Sequence, residues 1–157
     1  VASHNFHPEQ PLSGMVDITD KNSVKRTASA IGVVHLKKST IMAIKNGTVE
    51  KGDVLSVARV AALLAMKDTS RIVPMCHPIP ITSAKVGFDL GPDFVRAEVV
   101  VISTGKTGVE MEALVGVSAA LLNVWDMVKS LEKDETGNYP TTRIDDITVK
   151  EKRKELL

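Results

Sequence analysis

Aromatic side chains are scarce in this chain. One Trp, one Tyr and three Phe make up 3% of 157 residues, too few for broad base-stacking or carbohydrate-stacking platforms, so the core must be aliphatic. A single cysteine, Cys76, rules out an intramolecular disulfide. Charge of one sign is also missing: 20 Lys+Arg against 19 Asp+Glu leave +1, so no global field steers the chain to nucleic acid or to an anionic membrane, and any anion site must be local. No stretch reads as a signal peptide or as a membrane span of about 20 apolar residues, and the cytoplasm is the expected compartment.

What is present suits one domain. A hydrophobic fraction of 43% with 25% charged residues can bury an ordinary core. Residues 1–14, with two prolines and no periodicity, read as an N-terminal arm or a partly disordered tail; residues 15–157 read as a single domain. His4 and His7 in the arm are either solvent-exposed or part of a metal site. Thr27 to Lys38 reads as a strand. Ser39 is the expected N-cap of a short helix that Asn46-Gly47 would end. Asp53 is positioned to cap a longer helix on which Val57, Val60, Ala61 and Leu64 recur at helical spacing. Residues 81–90 and 94–103 read as a hairpin around Gly-Pro-Asp, residues 109–134 as the strongest helix, and residues 141–152 as a last strand. The order β, α, β, β, α, β is that of an α+β, ferredoxin-like βαββαβ sandwich, with helices on one face of an antiparallel sheet.

Cys76 and His77 sit in a run stiffened by Pro74, Pro78 and Pro80. Four readings stand: a metal site, which lacks partner ligands at the usual spacing; an activated thiol, awkward because neighbours on an extended segment point to opposite faces; a buried structural pair; and a rigid wall presenting polar groups to a ligand. Gly105-Lys106-Thr107-Gly108 is not a Walker loop, because Val100 stands where its first glycine is needed. Its glycines, its lysine and the following helix N-terminus with Glu110 and Glu112 suit anion binding and plain dipole stabilisation equally well. On the long helix, Leu114, Val117, Leu121, Trp125 and Val128 form the expected core stripe. Glu112, Asp126, Lys129 and Lys133 are expected opposite it, as a solvated face or as a functional one. Glu112 and Asp126 are about 21 Å apart along a helix axis at about 1.5 Å per residue. They cannot both touch one small reacting centre, so either one end matters or a second chain brings its copy. Lys51, beside Gly52 and a helix start, is solvent-facing or tuned for proton transfer.

Taken together, MVDITDK, KGDVLSVARVAAL, IVPMCHPIPI, STGKTGVEMEAL and WDMVKSLEKD resemble the cyclic pyranopterin monophosphate synthase family of molybdenum cofactor biosynthesis, over about Met15 to Leu131. The resemblance implies a lyase that turns 3′,8-cyclo-7,8-dihydroguanosine 5′-triphosphate into cyclic pyranopterin monophosphate and releases pyrophosphate. It also implies a cytoplasmic homohexamer, a trimer of dimers with sites at the dimer interface. Asp126, Lys51 and Lys129 match the catalytic positions; Met75, Cys76, His77, Glu110, Met111 and Glu112 match substrate-binding ones, and Asp17 and Arg26 the N-terminal pattern. Arg26 and Lys106 would help Lys51 and Lys129 neutralise the phosphates. No resident metal or cofactor is implied; magnesium accompanying the triphosphate stays open. Members commonly end in Lys-Ser-Gly-Gly-Lys-Ser-Gly, whereas this chain reads VKEKRKELL, with Lys152 the candidate equivalent of the first lysine, and Val24 stands where a threonine is usual. A nucleic-acid-binding module and a non-catalytic ligand-binding regulator are the rival classes.

Overall fold

A computed structural model describes residues 11–157; the arm histidines His4 and His7 lie outside the described residues. Four strands, β1 (Val24–His35), β2 (Ile81–Leu90), β3 (Phe94–Gly105) and β4 (Arg143–Glu155), alternate with helices α1 (Lys38–Asn46), α2 (Val54–Lys67), α3 (Thr69–Ile72) and α4 (Glu110–Glu132). The sheet runs β2-β3-β1-β4 with every neighbour antiparallel, and α2 and α4 pack on each other, α4 also against β1 and β3. This is the ferredoxin-like sandwich that the element order predicts.

α4 comes unusually close to the sheet because small residues lie beneath it. On β1 the helix-side positions Ala28, Ala30 and Val34 are fully buried, and a Cβ on Gly32 between them would stand 2.8 Å from side-chain atoms of Leu121 and Val117. On the other side of the helix, a Cβ on Gly116 would stand 2.8 Å from Met66 of α2. Both glycines are therefore packing requirements rather than turn residues.

Several local expectations shift. β1 starts and ends three residues earlier than the strand expected from Thr27. α1 is not capped by Ser39: the helix begins at Lys38, after Lys37, with no side-chain cap. Its start is anchored from outside by Glu132, whose carboxylate accepts from the Lys37 backbone N–H (3.1 Å) and the Thr40 hydroxyl (2.5 Å). Asp53 does cap α2, accepting from Ser56 N at 3.0 Å, but the helix turns a different side to the core. Val54, Ala58, Ala62 and Met66 are buried, whereas Val57, Val60 and Leu64 are exposed. Periodicity identifies residues that share a face; it does not say which of two aliphatic faces the rest of the chain covers. α4 is long and apolar enough by length and composition to cross a bilayer, unlike the expectation from reading the runs, yet half of that window is buried inside the fold.

β4 carries two irregularities against β1, between Ser29 and Ala30 and between Ile31 and Val33, the second beside Asp146 at φ 55°. Because a one-residue slip moves side chains to the opposite face, the bulges put Ile147 and Val149 on the helix side and return Lys152 and Lys154 to it. The pairs Ala28↔Lys152 and Arg26↔Lys154 result. Replacing Gly116 by valine should overpack the α2–α4 contact and cost about 1–3 kcal/mol; a lowered thermal or urea midpoint checks this, and an unchanged midpoint would show that Met66 can move aside freely.

Candidate active site

Two clusters lie at opposite ends of α4. The first surrounds a cleft of about 560 Å³ at its N-terminus, lined by Met75, Cys76, His77, Glu110, Met111 and Glu112 together with Thr107, Gly108, Ile79, Val149 and the N-terminal residues Val16, Ile18 and Lys21. Six expected ligand-binding residues thus converge. The second cluster is Asp126 with Lys51 and Lys129.

The Cys76-His77 segment is a turn, not an extended run. The Cys76 N–H donates to Val73 O at 3.0 Å, which puts Pro74 at the position a β-turn favours for proline. That curvature lets both neighbouring side chains line the cleft, against the expectation that they face apart. Burial, and then Glu112, push the Cys76 thiol up from its ordinary 9.0, the reverse of what activates a nucleophile. Among the described residues no three His, Cys, Asp or Glu side chains lie close enough to share a metal ion. The wall reading of this segment fits the geometry best.

α4 begins after Val109 without a side-chain cap. Glu110 pairs with Lys152 of β4; burial raises its carboxyl, but Lys152 and the residue's own amide outweigh this and hold it below the usual 4.5. Glu112 is not on a solvated face: it is 3% exposed. Burial pushes its carboxyl above 4.5, with Glu110 adding repulsion and its own amide opposing. A single first turn of α4 therefore holds two carboxyls shifted in opposite directions.

The loop before α4 is held by Arg26, whose Nε and Nη2 donate to Gly105 O (3.1 Å) and Lys106 O (3.2 Å). Lys106 in turn donates to Thr19 O at 2.7 Å, so it ties the N-terminal segment down. Asp17 accepts from the Thr19 amide at 2.8 Å and hydroxyl at 2.6 Å and shapes that same segment, which carries Val16, Ile18 and Lys21 into the cleft. Lys152, expected only as a stand-in, reaches the site through its pair with Glu110.

At the other end of α4, Lys51 donates to Asp126 Oδ2 at 3.0 Å and to its backbone carbonyl at 3.1 Å, while Lys129 bonds Oδ1 at 3.0 Å. Lys51 is aimed there by a tight turn: Gly52 N donates to Val49 O at 3.0 Å and Gly52 adopts φ 109°, open in practice only to glycine. The Lys51 and then the Lys129 hydrogen bond hold Asp126 below 3.8, and Asp126 raises Lys129 above 10.5. Beside them Trp125 and Tyr139 meet edge to face at 5.2 Å, and Lys133 lies 5.9 Å over the Tyr139 ring. Sequence reading singled out the glycines of the Gly105–Gly108 loop but not Lys21, Thr107 or Val149 in the cleft. Lys21 and Thr107 were visible inside the quoted motifs; Val149 was not, because a bulge aims it.

An α+β sandwich with a partly apolar cleft at a helix N-terminus and a lysine–aspartate–lysine cluster at the far end defines a small-molecule site rather than a nucleic-acid platform. The chain belongs to the MoaC family, which it matches over residues 15–155. An Aeropyrum pernix protein described as "Probable cyclic pyranopterin monophosphate synthase" is 59% identical over 142 residues, 90% of this chain and 97% of that one. Proteins with the same description from Methanospirillum hungatei and Methanosarcina acetivorans are 56% identical over 149 residues and 58% over 148. The alignments cover 95% and 94% of this chain, and 96% and 94% of those proteins.

Glu112 carries a testable sign. Its folded-state carboxyl lies above its unfolded value, so its effect on stability is most favourable below about pH 4.5 and is lost as pH rises through the folded value. Glu112→Gln should therefore raise the melting temperature at pH 7–8 relative to the native chain, with the gain shrinking toward pH 4. An equal gain at both pH values would mean that ionisation of Glu112 is not the cause.

Proposed function

We infer that the chain is a cyclic pyranopterin monophosphate synthase, a lyase acting on 3′,8-cyclo-7,8-dihydroguanosine 5′-triphosphate and releasing pyrophosphate on the route to the molybdenum cofactor. The observation that carries this reading is the convergence of Met75, Cys76, His77, Glu110, Met111 and Glu112 on one cleft, in a chain whose relatives over nearly their whole length bear that name.

In this reading the cleft holds the ring system and the lysine cluster moves protons. Asp126, kept ionised by two ammonium groups, is a poor proton acceptor and acts as orienter. Lys129, held protonated, is a donor in the free enzyme, and Lys51, bonded to the same carboxylate, shares the proton transfers with it. Glu110 and Glu112 with His77 position the rings, and Asp17 orders the segment that closes over them. Arg26, Lys106 and Lys152 support the charge of the phosphate side. The scheme uses no resident cofactor; magnesium enters only as companion of the substrate's phosphates.

The two clusters are about 21 Å apart by helix rise, so a complete site takes the cleft of one chain and the lysine cluster of another. Exposure of Val57, Val60 and Leu64 on α2 supports assembly, in this reading a cytoplasmic homohexamer built as a trimer of dimers.

Anaerobic pyrophosphate release from the cyclised GTP derivative should fall about 100-fold or more in Lys51→Ala and in Asp126→Asn; absence of release from folded native protein would overturn the assignment in favour of a binding role. In the residual activity of Asp126→Asn the alkaline limb of kcat/KM should move to lower pH, since Lys129 loses the anion that raises it. A limb that stays put would remove Lys129 as the donor. Shared sites predict rescue: refolding Lys51→Ala together with His77→Ala in equal amounts should restore about one quarter of native activity, because half of random dimers are mixed and each has one intact site. Inactive mixtures of assembled protein would place each site within one chain.

A further inference from the structure

The chain's one tryptophan and one tyrosine meet beside the lysine cluster. Trp125 and Tyr139 stand edge to face with 5.2 Å between ring centroids, and the Lys133 ammonium lies 5.9 Å from the Tyr139 centroid. Trp125, Lys129 and Lys133 follow one another at intervals of four residues on α4 and so share one face of it. Trp125 and Lys133 are about 12 Å apart along the axis at about 1.5 Å per residue. A ring that reaches both lies across the position between them, which is Lys129. The electrostatics agree: Asp126, through its hydrogen bond and then its charge, raises Lys129 above 10.5, burial opposes, and Tyr139 adds to the rise.

Tyr139 is mounted rather than loose. It sits in the loop between α4 and β4, whose base is fastened where buried Glu132 accepts from the Thr142 hydroxyl at 2.7 Å. At the crown, Asp134 Oδ1 accepts from the Thr136 amide (2.8 Å), the Thr136 hydroxyl (2.6 Å) and the Asn138 amide (3.0 Å). The Asp134 N–H donates to Asn138 O at 2.9 Å, and Gly137, at φ 83°, donates to Asp134 O at 3.0 Å. Pro140 then restricts the backbone of Tyr139 itself. Lys129 is the opposite case. Its side chain is 44% exposed and its anchor is Asp126 Oδ1 at 3.0 Å, an exposed i, i+3 pair that by itself restrains a long flexible side chain weakly.

We propose that Tyr139 is a positioning residue for Lys129: its ring, braced by Trp125 and by the loop that Asp134 locks, holds the lysine stem along α4 and its ammonium on Asp126. The bearing of this restraint on turnover rests on the function inferred above; the restraint itself does not. The charged and titratable groups of this corner are Asp126, Lys129 and Lys133 on α4, Lys51 from the turn before α2, and Tyr139 from the loop. Two ammonium groups share the one carboxylate. A Lys129 free to swing away would leave Asp126 to Lys51 alone and lose the anion that keeps it protonated, so pinning the stem sets both where the donor stands and whether it carries its proton.

In turnover, Tyr139→Ala should lower kcat about tenfold with KM within about twofold of native, and should move the alkaline limb of kcat/KM to lower pH. Tyr139→Phe, which keeps the ring, should return both to near native. Asp134→Ala, which unlocks the loop, should reproduce the Tyr139→Ala defect, and the double variant should be no worse than Tyr139→Ala alone. Glu135→Gln, in the same loop, should behave as native. A limb that stays put in Tyr139→Ala, or moves equally in Tyr139→Phe, overturns the positioning role; losses that multiply in the double variant overturn the loop as its mount. Two readouts on the full-length assembled protein need no substrate. Emission of Trp125 should shift to longer wavelength in Tyr139→Ala and Asp134→Ala and stay native in Tyr139→Phe, and native emission in Tyr139→Ala overturns the brace. Competitive acetylation of Lys129 against pH, read by peptide mass spectrometry, should set in at lower pH in Tyr139→Ala and Asp134→Ala but not in Tyr139→Phe. A shifted acetylation profile with no pyrophosphate release from the native chain would sink the synthase reading alone, and release by the native chain with an unshifted profile would sink the positioning role alone.

Discussion

The seating of α4 against the sheet is the contact on which everything else depends. Gly32 and Gly116 let the helix lie where a single methyl group on either side would collide with Leu121, Val117 or Met66. The helix is then fastened at both ends. At its C-terminus Glu132, with no exposed surface, accepts from the Lys37 amide, the Thr40 hydroxyl and, at 2.7 Å, the Thr142 hydroxyl. Burying a carboxylate is tolerable only with such a set of donors, and these tie together the starts of α1 and β4. At its N-terminus the Glu110–Lys152 pair and the Arg26-held loop do the same.

That rod separates two electrostatic environments. At one end burial drives Glu112 up; at the other, two ammonium groups drive Asp126 down. Opposed shifts divide acid and base duties between groups of similar type. Here helix length keeps them from meeting within a chain. The cleft side is comparatively apolar, while the start of β1 and the end of β4 set Arg26 opposite Lys154.

Much of this was legible residue by residue. Asn46-Gly47, Asp53 and the Gly-Pro-Asp hairpin mark element ends through backbone chemistry that operates locally, and the structure keeps them. The capping of α1 was not legible: its partner, Glu132, lies about ninety residues away. The exposed stripe of α2 looked like core because Val57, Val60 and Leu64 are as aliphatic as Val54 and Met66. Cys76 and His77 were read as diverging because an extended segment was assumed, although Pro74 already favoured the turn that makes them converge.

The sequence by itself determined the order of elements, the motifs that mark the family and the spacing that keeps Glu112 and Asp126 apart, since helix rise and turn propensity act between near neighbours. Tertiary structure alone decided which face of α2 is covered, that Glu112 is buried, that two bulges in β4 aim Val149, Lys152 and Lys154 toward the site, and that Lys51 meets Asp126. These depend on register and on contacts between distant segments, where a shift of one residue reverses a side chain's direction and no local propensity records the outcome.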